Sequence, residues 1–353
     1  DIMPVAEAVP GRNLRLSIDQ RLQFLAYREL KSAISQYQAL SGSFVLLDVQ
    51  TGEVLAMANQ PSYNPNNRIQ LDLSSVRNRA VTDVFEPGST VKPFTVAVAL
   101  ESGLDMGYTI DTSPGFLKVD DAVIKDPRNR GVLDLGGILA YSSQVGISRL
   151  ALSLNEYDIW KQFQTLGFGE VTGVGFPGES SGFLPNRRRW KDIERVTFAY
   201  GYGLTVTPLQ LASAYSTIAS GGIKREVTLI ADQVSEGERV MNARIALQLQ
   251  SMLGRVITEG TGQKAAIESY DVGGKTGTAR KIGENGYDDT RHIAFFAGFA
   301  PQYSPRFVGV VLINEPKTEQ VGGGSIAAPI FSRVMSNVLR LLSVPPTDTR
   351  EAV

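Results

Sequence analysis

The hydrophobic and polar positions of the N-terminal part of the chain predict a helix followed by a β-hairpin. Residues 14–40 carry apolar side chains at helical spacing, and we expect Ser17 to cap this helix. Residues 41–60 form two apolar runs around the turn-forming segment Gln50-Thr51-Gly52, which is typical of a β-hairpin. Because both runs are almost continuously apolar, we expect other elements to cover both faces of the hairpin.

The C-terminal part of the chain contributes three further predicted strands. Their sequences are YDVGGKTGTARK, HIAFFAGFAP and RFVGVVLINEP, and the turn-forming segment PQYSPR joins the last two. A final helix is predicted at about residues 326–343. The pattern therefore predicts one sheet to which both ends of the chain contribute.

The sequence between these two groups of strands is mostly helical in its pattern. A buried helix is predicted from Pro93, a second over residues 137–154, and two more over 208–222 and 243–257. Residues 165–195 are rich in Gly and Pro and are predicted to be a loop. We therefore expect a helical insertion at about residues 93–200 within a single domain.

Composition and charge exclude several classes of function. Lys and Arg number 35 against 36 for Asp and Glu, so the formal net charge of -1 gives no bulk attraction to nucleic acid. The basic run Arg187-Arg188-Arg189 is interpreted as a solvated loop. With no cysteine and one histidine, His292, a zinc site lacks its usual ligands. We interpret His292 as structural and expect neither a metal nor a cofactor.

A serine and a lysine three residues apart, Ser89 and Lys92, stand in the segment FEPGSTVKPF. If Pro87-Gly88 precedes a helix, both side chains project from the same face of its first turn. The helix N-terminus favours negative charge that develops at the serine. Burial favours the neutral form of the lysine, which can then act as a base. This arrangement would activate a serine nucleophile without histidine.

Two other segments could complete such a site. In Tyr141-Ser142-Ser143-Gln144, a hydroxyl could relay a proton and an amide could orient a substrate, and we expect this segment to lie just inside a helix. In Lys275-Thr276-Gly277-Thr278, the glycine lets an extended substrate lie close to the strand. A phosphate-binding loop is excluded here, because its first glycine would fall on Ser269.

The order of these motifs is the signature of the serine penicilloyl transferases. The segments FEPGSTVKPF, SSQVGISRLAL, ERVTFAYGYGLTVTPLQLASAY, KTGTARK and FFAGFAP resemble the class B penicillin-binding proteins, more narrowly the cell-division peptidoglycan D,D-transpeptidases of Gram-negative bacteria. The resemblance covers essentially residues 14–343. It implies an α/β fold of the α+β type, with a five-stranded, mostly antiparallel sheet flanked by helices and a helical subdomain after the nucleophile helix.

The resemblance also implies a role for each motif residue. Ser89 would be acylated by the D-Ala-D-Ala end of a stem peptide, and Lys92 would take its proton. Ser142 would pass a proton between Lys92, Lys275 and the leaving amine. The backbone N–H groups of Ser89 and Thr278 would form the oxyanion hole. An amine of a neighbouring stem peptide would then attack the acyl-enzyme, and β-lactams would stop at the acyl stage.

Further residues are expected to bind the substrate or a β-lactam. Lys275, Thr276 and Thr278 would hold the terminal carboxylate beside Gly277. The remaining positions are Gln144, Tyr200 and Tyr202, of which the two tyrosines would help to form the wall of the cleft. Gln144 departs from the family, which usually has Asn at this position. We expect its amide still to contact the donor, with altered substrate or β-lactam preference.

The family also predicts what lies around the domain. Its members carry an N-terminal membrane helix and a non-catalytic domain, so residues 1–20 are interpreted as a linker or remnant, 21–345 as the transpeptidase domain, and 346–353 as a tail. We expect the full-length protein at the periplasmic face of the inner membrane. The expected partners are stem peptides, β-lactams and division proteins that include a SEDS-family glycosyltransferase.

Three alternatives stay open at this point. A β-lactamase would need a deacylating Glu, and Glu238 and Asn242 match one known spacing within a polar stretch. A D,D-carboxypeptidase would give the same acyl group to water. An inactive paralogue could serve as a scaffold of the division complex, with Gln144 as the first sign of decay.

Overall fold

The computed structural model of the protein describes residues 9–67, 69, 72–283 and 286–347. The α-helices in these ranges are α1 Gln20–Gln36, α2 Arg79–Thr82, α3 Lys92–Glu101, α4 Leu135–Ala140, α5 Gln144–Ser153, α6 Glu156–Thr165, α7 Asp192–Ala199, α8 Pro208–Ala219, α9 Ala243–Thr258 and α10 Gly323–Leu341. The strands are β1 Ser41–Asp48, β2 Val54–Gln60, β3 Thr109–Asp111, β4 Phe116–Val119, β5 Ala122–Lys125, β6 Val132–Asp134, β7 Ile223–Lys224, β8 Glu238–Arg239, β9 Gly273–Gly283, β10 Gly286–Ala300 and β11 Phe307–Asn314.

A five-stranded sheet forms the centre of the molecule. Its strand order is β2-β1-β11-β10-β9, and each neighbouring pair is antiparallel. In the middle of the sheet, β1 pairs with β11 from Ser41 opposite Asn314 to Asp48 opposite Phe307. The prediction of one sheet built from both ends of the chain, flanked by helices, is therefore confirmed.

The sheet separates two hydrophobic cores, which explains the long apolar runs of its central strands β1 and β11. Along β1, Phe44 and Leu46 belong to the core that α1 and α10 cover, whereas Val45 and Leu47 belong to the larger core that contains α3, α8 and α9. Successive side chains of a strand point to opposite faces, so a strand that is covered on both sides needs apolar residues at every position.

The start of α1 differs from the prediction. The helix is capped by Asp19, whose Oδ1 accepts a hydrogen bond from the N–H of Arg21 at 2.9 Å. Ser17, which was expected to cap it, instead donates its hydroxyl to the carbonyl oxygen of Val54 at 2.8 Å. The expectation for Ser17 was therefore wrong, because an Asp two residues later offers a stronger acceptor to the helix N-terminus.

Between β2 and β9 the described residues form most of the helices and three small β-ribbons. Two ribbons, which pair β3 with β6 and β4 with β5, lie between α3 and α4 in the sequence, and the third pairs β7 with β8 between α8 and α9. Within the described part of the chain, none of the helices is long and apolar enough to cross a lipid bilayer.

The single helix predicted over residues 137–154 is interrupted in the structure. Helix α4 ends at Ala140, and α5 begins at Gln144. Between them Ser142 adopts a left-handed conformation with φ of 58°. The prediction that Ser142 lies inside a helix was therefore wrong. The hydrophobic spacing is helical both before and after residues 141–143, so it does not reveal the three-residue break between the two helices.

Candidate active site

Ser89 lies on a tight turn that several elements hold in place. The 3-10 turn Gly88–Val91 runs directly into α3. The N–H of Gly88 donates to the carbonyl oxygen of Gly201 at 3.1 Å. The hydroxyl of Tyr215 on α8 donates to the backbone carbonyl oxygen of Thr90 at 2.8 Å. A side chain at Gly201 would come within 2.2 Å of the Gly88 oxygen, so this close approach requires glycine.

Three side chains form a hydrogen-bonded chain that ends at Ser89. The Ser142 hydroxyl donates to the Ser89 Oγ at 2.9 Å, and the Lys92 Nζ donates to the Ser142 Oγ at 3.3 Å. Lys92 also donates to the carbonyl oxygens of Ser142 at 2.7 Å and Ser143 at 3.3 Å. The predicted pair of Ser89 and Lys92 is therefore connected through Ser142 in the described hydrogen bonds.

The environment of Lys92 favours its neutral form. Residues 92–100 of α3 are all buried, as the apolar sequence predicts, and Lys92 itself has no exposed surface. Burial lowers the pKa of Lys92 from 10.5 to about 7, although the negative charge of Asp126 opposes this shift. An amine with this pKa is present in both protonation states near neutral pH and can accept a proton.

Lys275 of β9 is a second fully buried lysine close to this chain. Burial lowers its pKa well below the ordinary value, and the positive charge of Lys92 acts in the same direction. Its Nζ donates to the carbonyl oxygen of Thr276 at 3.2 Å. Because Lys275 does not line the cleft described below, its predicted contact with a substrate carboxylate stays a prediction.

The site opens into a cleft of about 710 Å³. Six of the predicted site residues line it, namely Ser89, Ser142, Gln144, Thr276, Gly277 and Thr278. The prediction missed other lining residues, including Lys125, Asp126, Thr261 and Lys264. A second concavity of about 770 Å³ is lined by residues such as Asp48, Tyr303 and Val344, but it contains no lysine. The chemistry of the lining, and not its size, therefore identifies the candidate site.

Asp126, which directly follows β5, is the main polar residue that sequence reasoning missed. Its Oδ1 accepts hydrogen bonds from the N–H groups of Gln144 at 2.6 Å and Val145 at 3.1 Å, and its Oδ2 accepts the Ser143 hydroxyl. In the sequence this Asp stands before Pro127, which indicates a turn and nothing more. Its contacts with α5 depend on tertiary structure.

The threonines of β9 are fixed by residues from elsewhere in the chain. Thr276 shares a hydrogen bond of 2.7 Å with the hydroxyl of Thr261, and the N–H of Gly323 donates to the Thr278 Oγ1 at 3.0 Å. Gly322 is the N-cap of α10, and Gly323 and Gly324 are the first two residues of this helix. A Cβ at Gly323 would lie 2.2 Å from the carbonyl oxygen of Phe295, so the glycine allows this close packing.

Strand β9 lies at the edge of the described sheet, beside the cleft. Alternate backbone N–H and C=O groups of an edge strand point away from the sheet and can pair with an extended ligand. Packing inside the protein also requires glycine at position 277. A Cβ there would lie 1.9 Å from the Cε2 atom of Phe295, so the space is filled from within the protein.

Tyr200 and Tyr202 lie next to the nucleophile turn but are not among the residues that line the cleft. They flank Gly201, which contacts Gly88, and their rings pack edge to face with centroids 5.6 Å apart. Tyr202 packs in the same way against Tyr287 at 5.5 Å. The prediction that the two tyrosines form part of the cleft wall stays a prediction.

The remaining candidates lie outside the cleft. Glu238 belongs to β8, and Asn242 is the N-cap of α9, where its side-chain oxygen accepts a hydrogen bond from the N–H of Arg244. Neither residue lines the cleft, as a deacylating pair would. Arg280, which follows the Lys275–Thr278 motif on β9, forms an ion pair of 2.6 Å with Asp289.

Comparisons with known proteins place the chain in a family. Residues 42–336 match the family model described as "Penicillin binding protein transpeptidase domain". The chain belongs to this family. It is 47% identical over 339 residues to "Peptidoglycan D,D-transpeptidase FtsI" of Escherichia coli (strain K12), which covers 95% of this chain and 57% of that protein. The protein of the same name from Buchnera aphidicola subsp. Schizaphis graminum (strain Sg) is 41% identical over 343 residues, which covers 96% of this chain and 60% of that protein.

A solved structure agrees with the family. It is described as "Apo structure of TP domain from Burkholderia pseudomallei penicillin-binding protein 3", and it is 38% identical with a TM-score of 0.87. That alignment covers 96% of this chain and 99% of the solved chain. The chain spans less than two thirds of the length of the two curated relatives named above.

Proposed function

We propose that this chain is the catalytic domain of a peptidoglycan D,D-transpeptidase that works through a serine acyl-enzyme. The observation that carries the proposal is the hydrogen-bonded chain from Lys92 through Ser142 to Ser89, which opens into a cleft beside an edge strand. Family membership and the two curated relatives named as D,D-transpeptidases support the same function.

In the first step, Ser89 attacks the carbonyl carbon between the two D-alanines of a stem peptide. The bond from the Ser89 Oγ to this carbon forms while the hydroxyl proton passes through Ser142 to neutral Lys92. The backbone N–H groups of Ser89 and Thr278 donate to the oxygen that becomes negative. The C–N bond then breaks, and the terminal D-alanine leaves with the proton that returns through Ser142.

The donor peptide is proposed to bind in an extended conformation along β9. Its backbone pairs with the free edge of the strand, and Thr276 and Thr278 hold its terminal carboxylate with help from the positive potential of Lys275. Gln144 lines the other part of the cleft, and its amide contacts the donor amide. The extra methylene of Gln relative to Asn moves this contact by about one bond length, which alters the preference among donors or β-lactams.

In the second step, the amine of a neighbouring stem peptide attacks the acyl-enzyme. A new amide bond forms as the amine gives up one proton, and this proton returns to the Ser89 oxygen when the ester bond breaks. The two glycan strands are thereby cross-linked. A β-lactam opens on Ser89 in the same way, but its leaving group stays attached and the site stays blocked. In the full-length protein we place this reaction at the periplasmic face of the inner membrane, with division proteins that include a SEDS-family glycosyltransferase as partners.

Transfer can be separated from hydrolysis with a depsipeptide or thioester analogue of the D-Ala-D-Ala donor and an isotopically labelled D-amino acid. A transpeptidase forms the labelled product, whereas a carboxypeptidase forms only the free acid. Ser89→Ala is the control and should form neither. If no β-lactam forms an adduct with Ser89, the chain is the inactive scaffold, and if the adduct is hydrolysed within seconds it is a β-lactamase.

A further inference from the structure

The carboxyl group of Asp126 binds the short segment that separates α4 from α5. It accepts three hydrogen bonds, two from the backbone N–H groups of Gln144 and Val145 and one from the hydroxyl of Ser143. The Ser143 Oγ in turn accepts the N–H of Gly146 at 2.8 Å and caps α5. Asp126 therefore fixes the first turn of α5 from a separate element.

The segment that Asp126 holds also carries all the described contacts of the Lys92 amine. Lys92 donates to the carbonyl oxygens of Ser142 and Ser143 and to the Ser142 hydroxyl. Ser142 is a non-glycine residue with φ of 58°, a conformation that persists only where surrounding contacts determine it. The contacts that hold this segment are the hydrogen bonds of Lys92 and Asp126, together with those from the N–H groups of Ser142 and Ser143 to the end of α4.

We propose that Asp126 is a positioning residue for acyl transfer: it holds the segment 142–144 so that the Ser142 hydroxyl points at Ser89 and the backbone carbonyls point at Lys92. This inference rests on the proposed function. Asp126 itself touches none of the reacting atoms in the proposed mechanism, so it acts through Ser142 and Lys92.

Two ionisable groups, Asp126 and Lys275, are coupled to the charge of Lys92. Asp126, from the loop after β5, raises the pKa of Lys92 against the effect of burial, and Lys275, from β9, is coupled to Lys92 by repulsion. Of these two groups, Asp126 is the one whose charge favours the protonated amine of Lys92. Replacing Asp126 by a neutral residue removes this effect. The pKa of Lys92 should therefore fall, and the acylation rate should reach its plateau at a lower pH.

The test compares Asp126→Asn and Asp126→Ala with wild type and with Asp121→Asn, an exposed Asp in the neighbouring β4–β5 turn. The second-order rate constant for acylation by benzylpenicillin is measured by intact mass from pH 5 to 9, together with the melting temperature. Asn keeps an acceptor for the two N–H groups but cannot accept the Ser143 hydroxyl with its NH2 group.

We expect the plateau rate to fall about 10-fold in Asp126→Asn and about 100-fold in Asp126→Ala, as for a displaced positioning contact. The half-maximal pH should move down in both variants, and Asp121→Asn should match wild type. A lower melting temperature with an unchanged plateau and half-maximal pH would mean a structural role only and would overturn the proposal. If wild type itself is not acylated, the proposed function fails instead. If Asp126→Ala does not fold, Asp126→Asn decides.

Discussion

Acylation of Ser89 should rise with pH through a transition centred near pH 7, because Lys92 must be neutral to accept the proton. A lysine with the ordinary pKa of 10.5 is neutral in about 1 of 3,000 molecules at pH 7, whereas a pKa of about 7 makes about half of them neutral. Burial in α3 thus increases the population of the base about 10³-fold at this pH. At pH 5 only about 1% of the molecules have the neutral amine.

The assay is the pH dependence of the second-order rate constant for acylation, which reports the pKa values of the free enzyme. Benzylpenicillin is mixed with the protein at intervals from pH 5 to 9, and the adduct is followed by intact mass. The melting temperature is recorded at each pH so that unfolding is not mistaken for protonation. We expect the rate constant to fall about 100-fold from pH 8 to pH 5.

Two results would refute this reasoning. A rate constant that still rises about tenfold per pH unit up to pH 9, with no plateau, would mean that Lys92 behaves as a solvated lysine and that its burial does not set its pKa. A rate constant that is independent of pH from 5 to 9 would mean that Lys92 is not the base. In either case the hydrogen bonds from Lys92 to the segment 142–143 would be structural.

Three further predictions concern single residues of the site. Ser142→Ala removes the hydroxyl that connects Lys92 to the nucleophile, so the acylation rate constant at pH 8 should fall about 10²- to 10³-fold with little change in melting temperature. Gly277→Ala forces a Cβ to within 1.9 Å of the Phe295 ring and should lower the free energy of unfolding, measured in urea, by about 1–3 kcal/mol. The control is Gly283→Ala on the same strand, where the nearest atom to a Cβ lies at 3.6 Å, and it should lower this free energy by less than about 0.5 kcal/mol. Gln144→Asn should change the ratio of acylation rates between a penicillin and a cephalosporin at least about threefold, and an unchanged ratio would contradict a contact between Gln144 and the ligand amide.

The centre of the sheet could be predicted because β1, β11 and the second half of β10 are buried on both faces. A strand such as β1, which contributes Phe44 to one core and Val45 to the other, leaves an uninterrupted apolar run in the sequence. The same is true of α3, whose buried residues surround Lys92. Strong and local hydrophobic signals of this kind do not depend on knowing the partners.

The parts of the site that could not be predicted depend on contacts between distant segments. The break at Ser142 is stabilised by Asp126, which lies 16 residues earlier in the chain, and by Lys92 from α3. The approach of Gly323 to Thr278 joins the first turn of α10 to β9. No periodic pattern records such contacts, so the hydrophobic spacing predicts a helix that continues through Ser142.

The most direct test of the account is the mass of the protein during incubation with benzylpenicillin, in wild type and in Ser89→Ala. We expect wild type to gain the mass of one penicillin, with the modified peptide containing Ser89, and to keep it for many minutes. Ser89→Ala should gain nothing under the same conditions. An adduct of equal amount in Ser89→Ala, or an adduct on any other residue of wild type, would contradict the assignment of Ser89 as the nucleophile.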